Sequence, residues 1–429
     1  MILTMKIRGL FKKFPLAVLV LLAVSVAAFP QTATIAPKRE TLLNGLRVLM
    51  WSDSKADKVS VKIRIHAGSA FDPQGREGVM QLLADNIFPN ETIRDFFAQD
   101  LGGSLDVTTN YDYIQIDATS NPANILTMLE TLSSSISNPT IDKETTAKLK
   151  SALAARIKIL ETDSAYVADR AAARRLLATF PYGRPQFGTE DSVKKLDFAD
   201  LIDAKQRFIT ADNATITVSG NFERPLVFKA IRRYFGGWLK SDKRVPSTFR
   251  QPDEPPTGLL TIASPNTDVS AVRFAARGPS RSDKDFAAAT IFAAILEARL
   301  KSRVPSAFGD KVFVRNEAHV LPGSIVIGFS AGKNDIGSGN GKVEATELIS
   351  KALAEALTDA EYYASRSAVS AEWAKRPVEL FWLDIDTYKT NSADADRKIF
   401  DVVTLADVRS FAEKFKSSPM VSVLVNTPK

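Results

Sequence analysis

Asp197-Phe-Ala-Asp-Leu-Ile-Asp-Ala-Lys-Gln-Arg-Phe208, a few polar residues, then Ala214-Thr-Ile-Thr-Val-Ser-Gly-Asn221: this stretch decides the fold, because the chain repeats its pattern near the end. The second copy reads Thr404-Leu-Ala-Asp-Val-Arg-Ser-Phe-Ala-Glu-Lys-Phe415, a short break, then Met420-Val-Ser-Val-Leu-Val-Asn426. In both, a capping residue (Asp197 or Thr404) precedes apolar residues at helical spacing, and a turn leads into a β-branched run. An upstream pair matches too. Lys58-Val-Ser-Val-Lys-Ile-Arg-Ile-His-Ala-Gly68 and Asp268-Val-Ser-Ala-Val-Arg-Phe-Ala-Ala-Arg-Gly278 share their alternation and final glycine. Self-similar units at corresponding places predict two duplicated domains.

The boundary between them falls at 240–258, where Pro246, Pro252, Pro255 and Pro256 stand among charged residues and oppose a packed element. The expected organisation is an N-terminal domain over 39–239, this linker, and a C-terminal domain over 259–429. Asn44–Trp51 and Lys58–Ala67 read as neighbouring strands. Asp106–Thr109 and Asp112–Ala118 read as a hairpin, and long helices follow near 142–161 and 164–178. Strands and helices come in blocks with hairpins, so the fold class is α+β, each domain an antiparallel-rich sheet packed with helices, in preference to a doubly wound fold. Gly337–Gly341 reads as a loop, since it lacks the lysine and strand–helix frame of a phosphate loop.

The chain has 429 residues, 45% hydrophobic and 24% charged, enough for a sizeable core without staples. It has no cysteine, which excludes disulfides, thiolate metal sites and cysteine nucleophiles. Lys6, Arg8, Lys12 and Lys13 precede an apolar run from Leu16 to Ala28 that ends in small residues. This predicts a secretory signal peptide over 1–28, cleaved near Ala28, and a periplasmic mature protein. The run is short for a membrane span, so no membrane attachment is expected after cleavage. The net charge is +7, and the four positive charges before Phe29 leave the mature chain near +3. That is no nucleic-acid footprint.

Several segments together resemble the pitrilysin/insulinase family of zinc peptidases, which includes mitochondrial processing peptidase. They are Thr41-Leu-Leu-Asn-Gly-Leu-Arg-Val-Leu49, His66-Ala-Gly-Ser-Ala-Phe-Asp-Pro73, Leu101-Gly-Gly-Ser-Leu-Asp-Val-Thr-Thr109, Phe180-Pro-Tyr-Gly-Arg-Pro-Gln-Phe-Gly-Thr-Glu-Asp-Ser192, Asp212-Asn-Ala-Thr-Ile-Thr-Val-Ser-Gly220 and Leu383-Asp-Ile-Asp-Thr-Tyr388. The resemblance implies two homologous domains (the metalloenzyme LuxS-like fold) facing one another around a peptide chamber. It also implies a His-x-x-Glu-His helix whose histidines bind zinc and whose glutamate activates the metal-bound water. The matching helix is Gly78–Phe88, where Val79, Leu82, Leu83 and Ile87 keep the apolar spacing. Gln81 stands at the first histidine's place, Ala84 at the glutamate's and Asp85 at the second histidine's. The distal glutamate's place falls on Ala152, with Glu161 as the alternative.

Independently of any family, His66 and His319 are the only histidines and lie in different halves, so no two-histidine helix exists. No bound metal or other cofactor is therefore expected in this chain. Each histidine reads as structural, because no nucleophile elbow accompanies it. Asp384 and Asp386, two apart, do not share a helix face and read as surface charge. Phe96-Phe97 and Phe381-Trp382 read as core. The family's second domain also lends an arginine and a tyrosine to catalysis. The resemblance puts the arginine on Arg303 and the tyrosine's place on Phe313, although Arg303 reads more simply as a solvated charge at a helix end.

The resulting expectation is a non-catalytic subunit that binds extended peptides and pairs with a zinc-bearing chain of the same family. Peptide would add to the edge strand Ser104-Leu-Asp-Val-Thr-Thr109, so that Ser104, Leu105, Asp106, Val107, Thr108 and Thr109 form the binding segment. The alternative is a stand-alone or homo-oligomeric binding or assembly protein of the same fold. A hydrolase of unrelated chemistry has no support in the sequence.

Overall fold

Two sheets of corresponding strand order account for the internal repeat. The computed structural model describes residues 36–241, 249–250, 252–266, 268–304, 311–332 and 344–426. The expected signal segment and the Gly337–Gly341 loop lie outside the described residues.

In the first half the strands are β1 (Lys38–Thr41), β2 (Arg47–Ser52), β3 (Val59–Ile65), β4 (Ser104–Thr109), β5 (Ile114–Ser120) and β6 (Ala214–Gly220). Its helices are α1 (Val79–Ile87), α2 (Thr92–Gln99), α3 (Ile125–Ser137), α4 (Lys143–Leu160), α5 (Ser164–Leu177), α6 (Glu190–Lys194), α7 (Phe198–Phe208) and α8 (Arg224–Phe235). The second half holds β7 (Leu259–Ala263), β8 (Val269–Arg277), β9 (Val312–Glu317), β10 (Ser324–Gly332) and β11 (Met420–Asn426). Its helices are α9 (Phe286–Lys301), α10 (Ala345–Ala354), α11 (Asp359–Ala374), α12 (Val378–Tyr388), α13 (Ala393–Arg397) and α14 (Leu405–Lys416).

The first sheet runs β1-β2-β6-β3-β5-β4 and the second β7-β11-β8-β10-β9. Apart from β1 the two orders correspond strand for strand. Each has one parallel pair, β2 with β6 and β7 with β11, and is otherwise antiparallel. The repeated helix–strand unit is α7–β6 in one half and α14–β11 in the other. Asp197 and Thr404 both cap their helices through capping boxes, as their sequence positions predict.

One expectation fails. The strands β2 and β3 are not neighbours, because β6 lies between them, parallel to one and antiparallel to the other. The returning strand is apolar, with Ala214, Ile216 and Val218 fully buried, and it takes the central place where both faces are covered.

The helices are exchanged between halves. α5 packs its Ala168, Ala172 and Leu176 against Ala271, Ala275, Val421 and Val423 of the second sheet. α12 returns the favour, with Phe381 and Trp382 against Leu49 and Trp51 of the first. Each sheet also carries a buried arginine that reaches the borrowed helix. Arg64 on β3 meets Asp384 of α12 at 2.7 Å, and Arg273 on β8 meets Asp169 of α5 at 2.5 Å.

Candidate functional site

The helix α1 begins at Gly78, whose φ of +102° is reached without strain by glycine. Asp72 accepts hydrogen bonds from Gly78 N at 2.7 Å and Met80 N at 2.8 Å, satisfying free donors at the helix start. Burial pushes the Asp72 carboxyl up to about 7, against these two donors. Val79, Leu82, Leu83 and Ile87 are buried against the first sheet's helical layer, so the apolar stripe works as its spacing predicts.

At the positions of the resemblance, Gln81 Nε2 donates to Asp85 Oδ1 at 2.8 Å, closing an i, i+4 pair along the helix. Ala84 is buried beside them. Burial raises the Asp85 carboxyl, and the Gln81 hydrogen bond and the guanidinium groups of Arg156 and Arg94 oppose that shift. Ala152 is exposed on α4, the helix packed against α1. Glu161, just past the end of α4, is taken by Arg170 at 2.6 Å. Among the described residues no group of three or more histidine, cysteine, aspartate or glutamate side chains comes close enough to hold a metal ion. The environment of Asp85 is thus cationic and supplies one carboxylate, a donor set that does not fit zinc.

The segment Ser104–Thr109 is β4, the last strand of the first sheet, and among the described residues it pairs only with β5. Leu105 is buried, Val107 and Thr109 are half-buried, and Ser104, Asp106 and Thr108 are exposed. Both α1 and α2 pack against this strand, so the fold brings the degenerate helix and the edge together. At the strand's end Gln186 Nε2 donates to Thr109 O at 2.5 Å. There a cleft of about 260 Å³ opens between the halves, lined by Tyr111, Tyr166, Arg184, Phe187, Arg315 and His319 among others.

The remaining candidates are dispersed. Arg303 follows α9 and pairs with Glu355. Phe313 lies on the other face of β9, its ring under Arg273 at 4.9 Å and Arg315 at 4.2 Å, so the structure does not bring it to Arg303. The reading of Asp384 and Asp386 as surface charge is overturned. Asp384 is 2% exposed and takes Arg64 and Arg376 at 2.7 Å each. Asp386 takes Arg47 at 2.7 Å and accepts from Thr215 Oγ1 at 2.7 Å. The reason is tertiary: α12 lies across the first sheet, so a face that looks solvated in sequence meets arginines of another half.

Both histidines are structural ties. His66 sits between Thr387 Oγ1 and Thr215 Oγ1, each at 3.0 Å from a ring nitrogen, and burial drives its pKa well below the usual 6.5. His319 Nδ1 meets Asp112 Oδ2 at 2.9 Å and its ring stacks on Tyr182 at 4.2 Å. Asp112 belongs to the turn between β4 and β5, so this tie crosses the halves. The sequence carried no signal for that partner.

Residues 47–190 match the family profile "Insulinase (Peptidase family M16)", and residues 195–361 match "Peptidase M16 inactive domain". The chain is 26% identical over 202 residues to the probable mitochondrial-processing peptidase subunit beta of Arabidopsis thaliana, an alignment covering 46% of this chain and 38% of that one. It thus spans well under half of that relative. In fold it is similar to a peptidase M16 inactive domain from Pseudomonas fluorescens, at TM-score 0.78 and 18% identity, covering 92% of this chain and 98% of that one. It is also similar to the periplasmic protease PqqL of Escherichia coli, at TM-score 0.70 and 16% identity, covering 92% of this chain and 48% of that one. No described helix is long and apolar enough to cross a membrane. The repeated sheet and the matched profiles agree: the chain belongs to the M16, or pitrilysin/insulinase, peptidase family.

Proposed function

We propose that this chain is a zinc-free, non-catalytic M16 subunit of the periplasm that holds extended peptide along β4 and pairs with a zinc-bearing M16 chain. The observation that carries the reading is the Gln81–Asp85 hydrogen bond on an otherwise intact α1. The helix keeps its cap, its stripe and its place beside the edge strand, while the two ligand positions bond to each other. Peptide binding needs only the edge, since unpaired backbone groups accept an added strand. Pairing follows from burial: a two-domain chamber closes when two such chains meet, and a stable interface buries about 1,200–2,000 Å².

The decisive experiment combines the mature chain with an M16 homologue encoded beside it and bearing an intact zinc motif. Co-elution in size-exclusion chromatography, with peptidase activity well above that of the zinc-bearing chain alone, is the expected outcome. A neighbour fully active by itself, with this chain eluting alone, refutes the pairing. Phe313 favours a second reading, a stand-alone or homo-oligomeric peptide-binding protein, because its ring has no hydroxyl to lend a partner's site. Elemental analysis finding one tightly held zinc per chain, with chelator-sensitive cleavage, overturns both.

A further inference from the structure

We propose that the cleft at the junction of the halves is a carboxylate subsite, taking an acidic side chain or free C-terminus of the peptide docked on β4. This rests on the docking reading and adds the chemical class of peptide that is preferred.

The central observation is Arg184. It is 6% exposed and lines the cleft. Its Nη1 donates to Asp72 O at 2.5 Å and its Nη2 to Ala70 O at 2.8 Å, while its buried Nε has no partner. Among the described residues no carboxylate lies at ion-pair distance from it. The Asp72 carboxylate is turned instead to the backbone N–H groups of Gly78 and Met80. Asp72 and Glu77 act on it only from beyond ion-pair distance, so the buried guanidinium lacks a direct anionic contact that an anion entering the cleft would supply.

The surroundings have the same sign. Arg156 is exposed, stacks over Phe187 at 4.3 Å on the cleft's wall, and has no ion-pair partner among the described residues. The acidic groups nearby are already engaged. Asp169 takes Arg273 and Arg315, Glu317 also takes Arg315, and Glu161 takes Arg170. Tyr111 and Tyr166 supply flat walls beside these charges. A planar guanidinium next to aromatic faces suits a carboxylate on an extended chain. Position completes the case, because Gln186 holds the last carbonyl of β4 at the mouth. A strand added along β4 would run on into the cleft.

The test uses the full mature chain and fluorescein-labelled peptides of alternating threonine and valine. One carries a central glutamate, its counterpart a glutamine, and each is made with a free and an amidated C-terminus. Fluorescence anisotropy at low salt is expected to show at least one carboxylate-bearing peptide bound roughly ten- to a hundredfold more tightly than the neutral amide. The advantage shrinks as salt rises. Which arm carries it identifies a side chain or a terminus as the source. Arg184→Gln and Arg156→Gln should each reduce that advantage and leave the neutral peptide unaffected. Arg156 is exposed, so its variant stays informative if Arg184→Gln fails to fold. Equal affinity for charged and neutral peptides, both abolished by Val107→Pro, overturns the subsite and leaves docking intact. If no peptide binds the folded chain, subsite and docking fall together.

Discussion

At the two positions that the resemblance gives to metal-binding histidines, Gln81 Nε2 donates to Asp85 Oδ1 at 2.8 Å. Gln81→His, Ala84→Glu and Asp85→His together replace that bond with two imidazoles four residues apart, and calorimetry should detect zinc binding that the parent lacks. Adding Ala152→Glu should tighten it further. If Glu161 were instead the distal position, the addition would change nothing and Glu161→Ala would weaken the restored site. Activity need not return, because the surrounding groups that orient metal ligands also have to be right. A second residue-scale prediction concerns Glu361. Two hydrogen bonds from Arg299, at 2.6 and 2.8 Å, lower its carboxyl to about 2 from the ordinary 4.5. A depressed carboxylate stabilises the fold above its unfolded pKa and loses that contribution as pH falls through the folded value. Unfolding titrations between about pH 4.5 and 2 should therefore show a loss that Glu361→Gln does not show.

Among the elements, β4 combines the role of edge with contacts to α1 and α2. Its hydrogen bonds to β5 leave the opposite backbone side for a guest strand. Proline at Val107 removes a backbone donor and fixes φ, and such a residue is tolerated at edges far better than in central strands. Val107→Pro should fold with near-parental circular dichroism and lose affinity for extended peptides. Unchanged affinity in the folded variant would exclude β4 as the docking edge. Proline at Val218 of the central β6, by contrast, should prevent folding, which makes it the internal control.

Across the whole molecule, the two halves are held by helices that each lends to the other and by buried arginines at the seam. Arg64 and Asp384 are 1% and 2% exposed, whereas the Asp169 that meets Arg273 is 35% exposed. Breaking a fully buried pair costs about 3–5 kcal/mol because a charge is left without its partner. Asp384→Asn should therefore destabilise far more than Asp169→Asn in denaturant unfolding. The same seam contains His66. Its lowered pKa means that the unfolded chain takes up a proton more readily than the folded one. The contribution of His66 is complete above the ordinary 6.5 and falls as pH drops below it. Asp72, raised to about 7, works in the opposite direction over the same range, so the comparison is with the variant: from pH 8 to 5, His66→Gln should gain melting temperature relative to the parent.

The amino-acid order alone determined the duplicated α+β architecture, the apolar stripe of α1, the caps at Asp197 and Thr404, and the want of histidines for a zinc helix. These are local properties: periodicity, capping chemistry and residue inventory act within a few turns of the chain. It did not determine that β6 would separate β2 from β3, since the central place goes to whichever strand has both faces covered. Nor did it mark Asp384 as buried or Asp386 as paired across the halves, because Arg64 and Arg47 lie more than three hundred residues away, on strands that only the exchange of α12 brings near. The burial of Arg184 without a direct ion-pair partner was equally invisible. Its sequence neighbours look ordinary, and only the packed halves show that the carboxylates around it are engaged elsewhere.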